Sequence, residues 1–210
     1  MNMKKISLLL FILCCGQWGM AQNIRSLFLD MPETFTPLLT SVNKADFIDF
    51  LDSKMKAKIM NKFNKTSEMK ILSDSYILIQ MSENTTWQMK VLPTSNSFVI
   101  AIIKTVKGPA ADSSISFYSS DWKELSVSSF YEQPSIASFL KDEKASFKLN
   151  NDLQALDMSL IRLDFNTDNN ELIASLSTID YLNKETREKV EPYFNKELVL
   201  SWEGGKYLMK

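Results

Sequence analysis

Residues 76–106 read YILIQMSENTTWQMKVLPTSNSFVIAIIKTV, and this stretch decides the fold. Tyr76 to Met81 is one β-rich run, and Ser82 to Thr85 is a turn. Trp87, Met89 and Val91 then alternate with Thr86, Gln88 and Lys90, which predicts a strand with one apolar and one wet face. Pro93 to Asn96 makes the next turn. Phe98 to Val106 is apolar on both faces, as in a central strand covered on each side. Lys107-Gly108-Pro109 stops it, and Ile115 and Phe117 alternate with Ser114 and Ser116 in a further strand. Short strands joined by tight turns predict an antiparallel meander, because parallel pairing needs long crossovers.

Upstream lies a helical pattern. Phe47, Ile48, Leu51, Met55, Ile59 and Phe63 recur at spacings of three and four, so they share one face of a long amphipathic helix. Asn43 is the expected N-cap, with Asp46 as the capping-box acid. Asp46, Asp49 and Asp52 load the first half, and Lys54, Lys56, Lys58 and Lys62 the second. That order suits the helix dipole, and Asp52 and Lys56 form an i, i+4 pair. The charge run reads as the solvated back of the helix, with a binding face as the alternative. Residues 22–41, with Pro32 and Pro37, read as an extended lead-in with one helical turn near Ile24 to Leu29.

Further upstream, Lys4 and Lys5, the apolar run Ile6 to Leu13 and the small residues Gly19 and Ala21 follow the order of a secretory signal peptide cut before Gln22. The apolar run is shorter than the roughly 20 residues that span a bilayer. A buried N-terminal helix is the plainer alternative. A lipid anchor at Cys15 is a variant of the export reading, although Leu13 and Cys14 lack the usual small side chain before the acylated residue.

Downstream, Asp121 to Gln133 reads as a connection between halves, and Ser135 to Lys141 as a short helix. Met158 to Phe165 and Glu171 to Ser177 are strands around the polar turn Asn166 to Asn170. Asn183 caps a shorter late helix from Lys184 to about Glu191. Leu198 to Trp202 and Lys206 to Met209 form a hairpin whose Gly204-Gly205 supplies the positive φ of a primed turn. The expected organisation is a signal peptide over 1–21, a helix plus meander over 22–125, and a second α+β half over 126–210 packed on the first. The fold class is α+β with mainly antiparallel sheets, one long amphipathic helix early and a shorter helix late.

Composition narrows the chemistry. The chain has no histidine, and its two cysteines, Cys14 and Cys15, lie in the leader. A mature chain without them makes no Ser-His-Asp or Cys-His nucleophile, no disulfide and no His- or Cys-held zinc or haem. Loss of Lys4 and Lys5 leaves 22 basic and 25 acidic side chains, net −3, which gives no field for nucleic acid. Beyond residue 21 the only glycines are Gly108, Gly204 and Gly205, so no phosphate cradle forms and no nucleotide cofactor is expected. No later segment reads as a membrane span. Asp164-Phe165-Asn166-Thr167-Asp168 spaces oxygen ligands as a calcium loop does. Asn169 stands where the loop needs glycine and Ser175 where it needs a bidentate Glu, so a hairpin turn is expected and no metal or other cofactor. Trp122, Phe130 and Tyr131 lie in the connection and are the candidate exposed contact residues, because exposed aromatic patches mark interaction sites. No catalytic residue stands out.

Several ordered strings resemble a family of secreted proteins of unknown function found in Bacteroidetes. They are Met31-Pro32-Glu33, Leu38-Leu39, Asn43 with Asp46-Phe47-Ile48-Asp49-Phe50, Met55-Lys56-Ala57, Asn61, Ser67-Glu68-Met69, Leu72-Ser73-Asp74-Ser75-Tyr76 and Met89-Lys90-Val91-Leu92. Near the other end, Val190-Glu191-Pro192-Tyr193 and Trp202-Glu203-Gly204-Gly205-Lys206-Tyr207 fit the same pattern. Asn64-Lys65-Thr66 departs from the glycine-bearing turn of that family. The resemblance implies a Gram-negative envelope setting and brings no activity, ligand or catalytic residue. The function expected is therefore a non-enzymatic module of the periplasm or cell surface that binds an envelope protein or glycan. The alternative is a small carboxylate-based glycan hydrolase.

Overall fold

A computed structural model describes residues 24–142, 156 and 158–210; the leader reading lies outside them. Helix α1 (Ile24–Asp30) and a 3-10 turn (Glu33–Phe35) lead into helix α2 (Ser41–Asp52). Seven strands follow as one antiparallel meander. They are β1 (Lys58–Met60), β2 (Thr66–Leu72), β3 (Tyr76–Ser82), β4 (Thr85–Pro93), β5 (Phe98–Lys107), β6 (Ala111–Tyr118) and β7 (Glu124–Leu125). After 3-10 turns at Val127–Ser129 and Ile136–Phe139 come β8 (Ile161–Phe165), β9 (Leu172–Leu176), α3 (Thr178–Tyr181), α4 (Lys184–Val190), a 3-10 turn (Glu191–Tyr193), β10 (Glu197–Glu203) and β11 (Lys206–Met209). The last four strands form a second antiparallel sheet in the order β11-β10-β9-β8. The α+β class holds, as two antiparallel sheets with a few helices.

The large sheet is covered on both faces, as the apolar run of β5 requires. On one side, Ile24, Leu27 and Phe28 of α1 and Phe47 of α2 pack with Ile77, Ile79, Trp87, Met89, Ile100 and Ile102. On the other, Ala101, Ile103 and Phe117 pack with Ile161, Leu163, Leu172, Ala174, Leu200 and Tyr207 of the small sheet. The order of layers is helices, large sheet, small sheet.

Four sequence readings change. The long helix stops at Asp52. Lys54 takes φ 56° in the left-handed region, its N–H donates to Leu51 O, and Met55 N–H donates to Phe50 O. That is a Schellman ending with lysine where glycine is usual, so the stop carries no glycine signal. Ile59 then belongs to β1, and Met55 and Phe63 face solvent. The N-cap is Thr40, not Asn43; Asn43 is the reciprocal member of the capping box. Asp52 pairs with Arg25 at 2.7 Å, not with Lys56.

The fourth change matters most. The polar face of β4 is not wet. Gln88 and Lys90 are each 1% exposed, between the sheets. Gln88 Oε1 accepts from Tyr76 OH at 3.0 Å and from Phe165 N–H at 3.1 Å. Its Nε2 donates to Asp164 Oδ1 at 3.0 Å and Leu163 O at 3.4 Å. From β6, Asp112 Oδ1 accepts from Ile161 N–H and Ser113 Oγ from Leu163 N–H. The outward edge of β8, which no strand pairs among the described residues, is thus answered by side chains of the large sheet. Lys90 Nζ donates to Asn166 O at 2.5 Å and Asn169 O at 2.6 Å, closing the β8–β9 turn.

Gln88→Ala removes four hydrogen bonds from a dry junction and strands Phe165 N–H. It lowers unfolding stability by about 2–4 kcal/mol in urea denaturation. Thr86→Ala, on the same face of the strand but half-buried, shifts it by less than about 0.5 kcal/mol.

Candidate functional site

A concave surface with a charged lining lies at the end of β9 in the small sheet. Arg162 of β8, Ser175 to Ser177 at the end of β9, Ile179 and Asp180 of α3 and the segment Glu191 to Glu197 enclose a cavity of about 240 Å³. A wider hollow of about 520 Å³ continues past Lys141, Glu188 and Pro192, and shares Glu191, Phe194, Asn195 and Lys196.

Local bonding holds these walls. Leu160 O accepts from Ser177 N–H and Thr178 N–H, and Thr178 Oγ1 donates to Met158 O, fixing the turn into α3. Asn183 caps α4 by accepting from Thr186 N–H. Phe194 is buried and bridges to Leu140, while Asn195 N–H donates to Phe139 O and Lys141 N–H to Tyr193 O. The segment after α4 is therefore stitched to residues 139–141.

The groove carries both signs of charge. Arg162 Nε lies 2.6 Å from Asp164, and Lys196 Nζ lies 3.4 Å from Glu191. Ser175 Oγ donates to Glu197. Asp180 and Glu197 are exposed, and Glu191 is half-buried beside its lysine. Ser175 and Ser177 have no imidazole to activate them, since the chain has none. Such a surface suits recognition of a polar or zwitterionic group by hydrogen bonds and ion pairs.

The three aromatic residues singled out in the sequence are not brought together. Trp122 packs on the helix side of the large sheet, with ring centroids 5.7 Å from Phe35 and 5.8 Å from Tyr118. It is half-buried in the turn after β6 and takes φ 62°, an outlying conformation for so large a side chain. Phe130 sits on the opposite face, stacked on Phe117 at 4.9 Å and on Trp202 at 6.3 Å. Tyr131 is 4% exposed, within the core between the sheets, so it offers no surface contact. The segment that holds it runs along β11, where Tyr207 N–H donates to Phe130 O. A connection laid against a strand places its aromatics inside.

The groove residues gave no signal in the sequence, because Arg162, Asp180 and Lys196 come from separate segments. The Asp164 to Asn169 turn is the expected hairpin, and Lys90 ammonium takes two of its carbonyls. Among the described residues no helix is long and apolar enough to cross a membrane.

The chain belongs to the family described as protein of unknown function (DUF3256), whose profile matches residues 17–207. Its fold is similar to that of a domain of an uncharacterized protein from Porphyromonas gingivalis W83, a Bacteroidetes bacterium. The TM-score is 0.78 at 24% identity, over 89% of this chain and 97% of that one. At that identity the likeness speaks for the fold alone. No curated protein matches the chain.

The buried phenols yield a pH prediction. Burial raises the pKa of Tyr76, Tyr118, Tyr131 and Tyr207 above the ordinary 10.0. A folded-state pKa above the unfolded one gives stability that is whole below pH 10 and lost as pH rises beyond it. Burial lowers Lys44 and Lys90, which acts in the opposite sense below 10.5. Stability therefore falls in alkali only above about pH 10, seen as lower urea midpoints. Tyr131 and Tyr207 hydroxyls have no partner among the described residues. Tyr207→Phe accordingly leaves stability at pH 7 unchanged or raised and blunts the alkaline loss, whereas Tyr76→Phe costs about 1 kcal/mol through its bond to Gln88.

Proposed function

We propose that this is an exported protein of the bacterial envelope that acts by binding and not by turnover, with an envelope protein or glycan as its partner. The basic, apolar and small-residue order of residues 4–21 supports export, with cleavage before Gln22 and a periplasmic or surface location. The observation that carries the binding reading is the state of the groove's acids. A glycan hydrolase needs one carboxyl kept protonated by a dry setting, facing a second carboxylate. Here Asp180 and Glu197 lie in solvent and Glu191 faces Lys196. Arg162, Asn195 and Ser177 add donors without a nucleophile–base pair.

The test is capture of tagged, naturally processed protein from its own envelope, with mass spectrometry of its N-terminus. The reading expects an N-terminus at Gln22 and a reproducible partner whose retention drops about tenfold in an Arg162→Glu, Lys196→Glu double variant. An intact leader on cytosolic protein contradicts the export part. Release of reducing ends from envelope glycan, abolished by Glu191→Gln or Asp180→Asn, contradicts the binding part.

A further inference from the structure

We propose that the edge of the large sheet around β1 is a docking surface for an anionic phospholipid membrane, which names one partner surface and rests on the binding reading. The lysine run that reads as the back of a helix is no helix. Residues 54–70 are a turn, the edge strand β1, a second turn and the start of β2. They hold Lys54, Lys56, Lys58, Lys62, Lys65 and Lys70, all exposed, and one acid, Glu68. These 17 residues thus contain a quarter of the chain's 24 basic side chains and one of its 25 acids. Glu68 answers Lys58 and Lys70, and Glu33 answers Lys62. Lys54, Lys56 and Lys65 have no carboxylate within ion-pair distance among the described residues.

Between these cations stand large apolar side chains that the core does not take. Phe63 is 70% exposed, Met60 63% and Met55 56%. Val42, 68% exposed, joins them from the first turn of α2, where its neighbour Asn43 reaches Met60 O. The alternation of β1 buries Ile59 and turns Lys58 and Met60 outward. Two left-handed residues, Lys54 and Asn64, shape the turns that present Met55 and Phe63. Scattered apolar residues are ordinary, but three along one short edge, with Val42 on the neighbouring helix, are more than scatter.

The pairing selects the occupant. A soluble polyanion accounts for the lysines but gives Phe63, Met60 and Met55 nothing to enter. A neutral apolar partner accounts for the reverse. An anionic bilayer satisfies both, with ammonium groups among the headgroups and the Phe and Met tips at the acyl boundary. None of this needs a membrane-spanning segment.

Vesicle flotation of the naturally processed protein tests the proposal. Vesicles of phosphatidylethanolamine with about 30% phosphatidylglycerol carry the anionic surface, and phosphatidylcholine vesicles are the neutral control. Binding is expected to the anionic vesicles alone, and is lost by about 0.5 M salt. It weakens about fivefold for each of Lys56→Gln and Lys65→Gln. Phe63→Ser weakens it about tenfold. These side chains are exposed, so the variants keep the parent's unfolding midpoint. Equal binding to neutral vesicles, no binding, binding indifferent to the variants, or a dimer that Phe63→Ser dissolves each overturns the proposal. If envelope capture still returns a partner in those cases, only the lipid assignment falls; if capture also fails, the binding reading falls with it.

Discussion

The structure depends on one constraint: the outward edge of β8 is buried without a strand to pair it among the described residues. Backbone N–H groups in such a place need acceptors, and an unmet group costs on the order of 1–3 kcal/mol. The large sheet supplies them through Gln88, Asp112 and Ser113, which reach the amides of Phe165, Ile161 and Leu163. Lys90 does the same for the carbonyls of the β8–β9 turn. A purely apolar interface could not have set the strand at one register on the sheet. These polar contacts fix where the small sheet sits, and the apolar residues around them supply most of the burial.

That placement determines what remains outside. With the small sheet over β4 to β6 and the helices over the opposite face, the groove at the end of β9 and the β1 edge stay open. The groove collects charges of both signs from segments distant in sequence. The β1 edge carries uncompensated lysines and exposed Met and Phe side chains. Both are open to solvent. Among the described residues, neither sets a reactive side chain against an activating one.

Much of this was legible in the sequence, and the failures have physical reasons. A β-rich run marks β3, alternation marks β4 and β6, a run apolar on both faces marks β5, the glycine pair marks the last hairpin with φ 57° and 85°, and Asn183 marks α4. Apolar periodicity then carried the helix past its end, because Phe50, Leu51, Lys54 and Met55 make a Schellman ending without glycine. Strand β2 carries no such signal: TSEMKIL mixes charge with apolar positions and has a register shift between Met69 and Ile71. The polar face of β4 reads as polar, but a sequence does not show which polar face another sheet will cover. For the same reason aromatic residues in a connection looked exposed, yet Tyr131 lies inside. The groove was invisible because its residues meet only in the folded chain.

Amide hydrogen exchange along β8 tests the central claim most directly. If side chains of the large sheet close that edge, the N–H groups of Ile161, Leu163 and Phe165 exchange as slowly as those of Arg162 and Asp164, through opening of the whole junction. Exchange of those three at the rate of an uncovered sheet edge, while the β8–β9 pairing stays protected, would contradict the account.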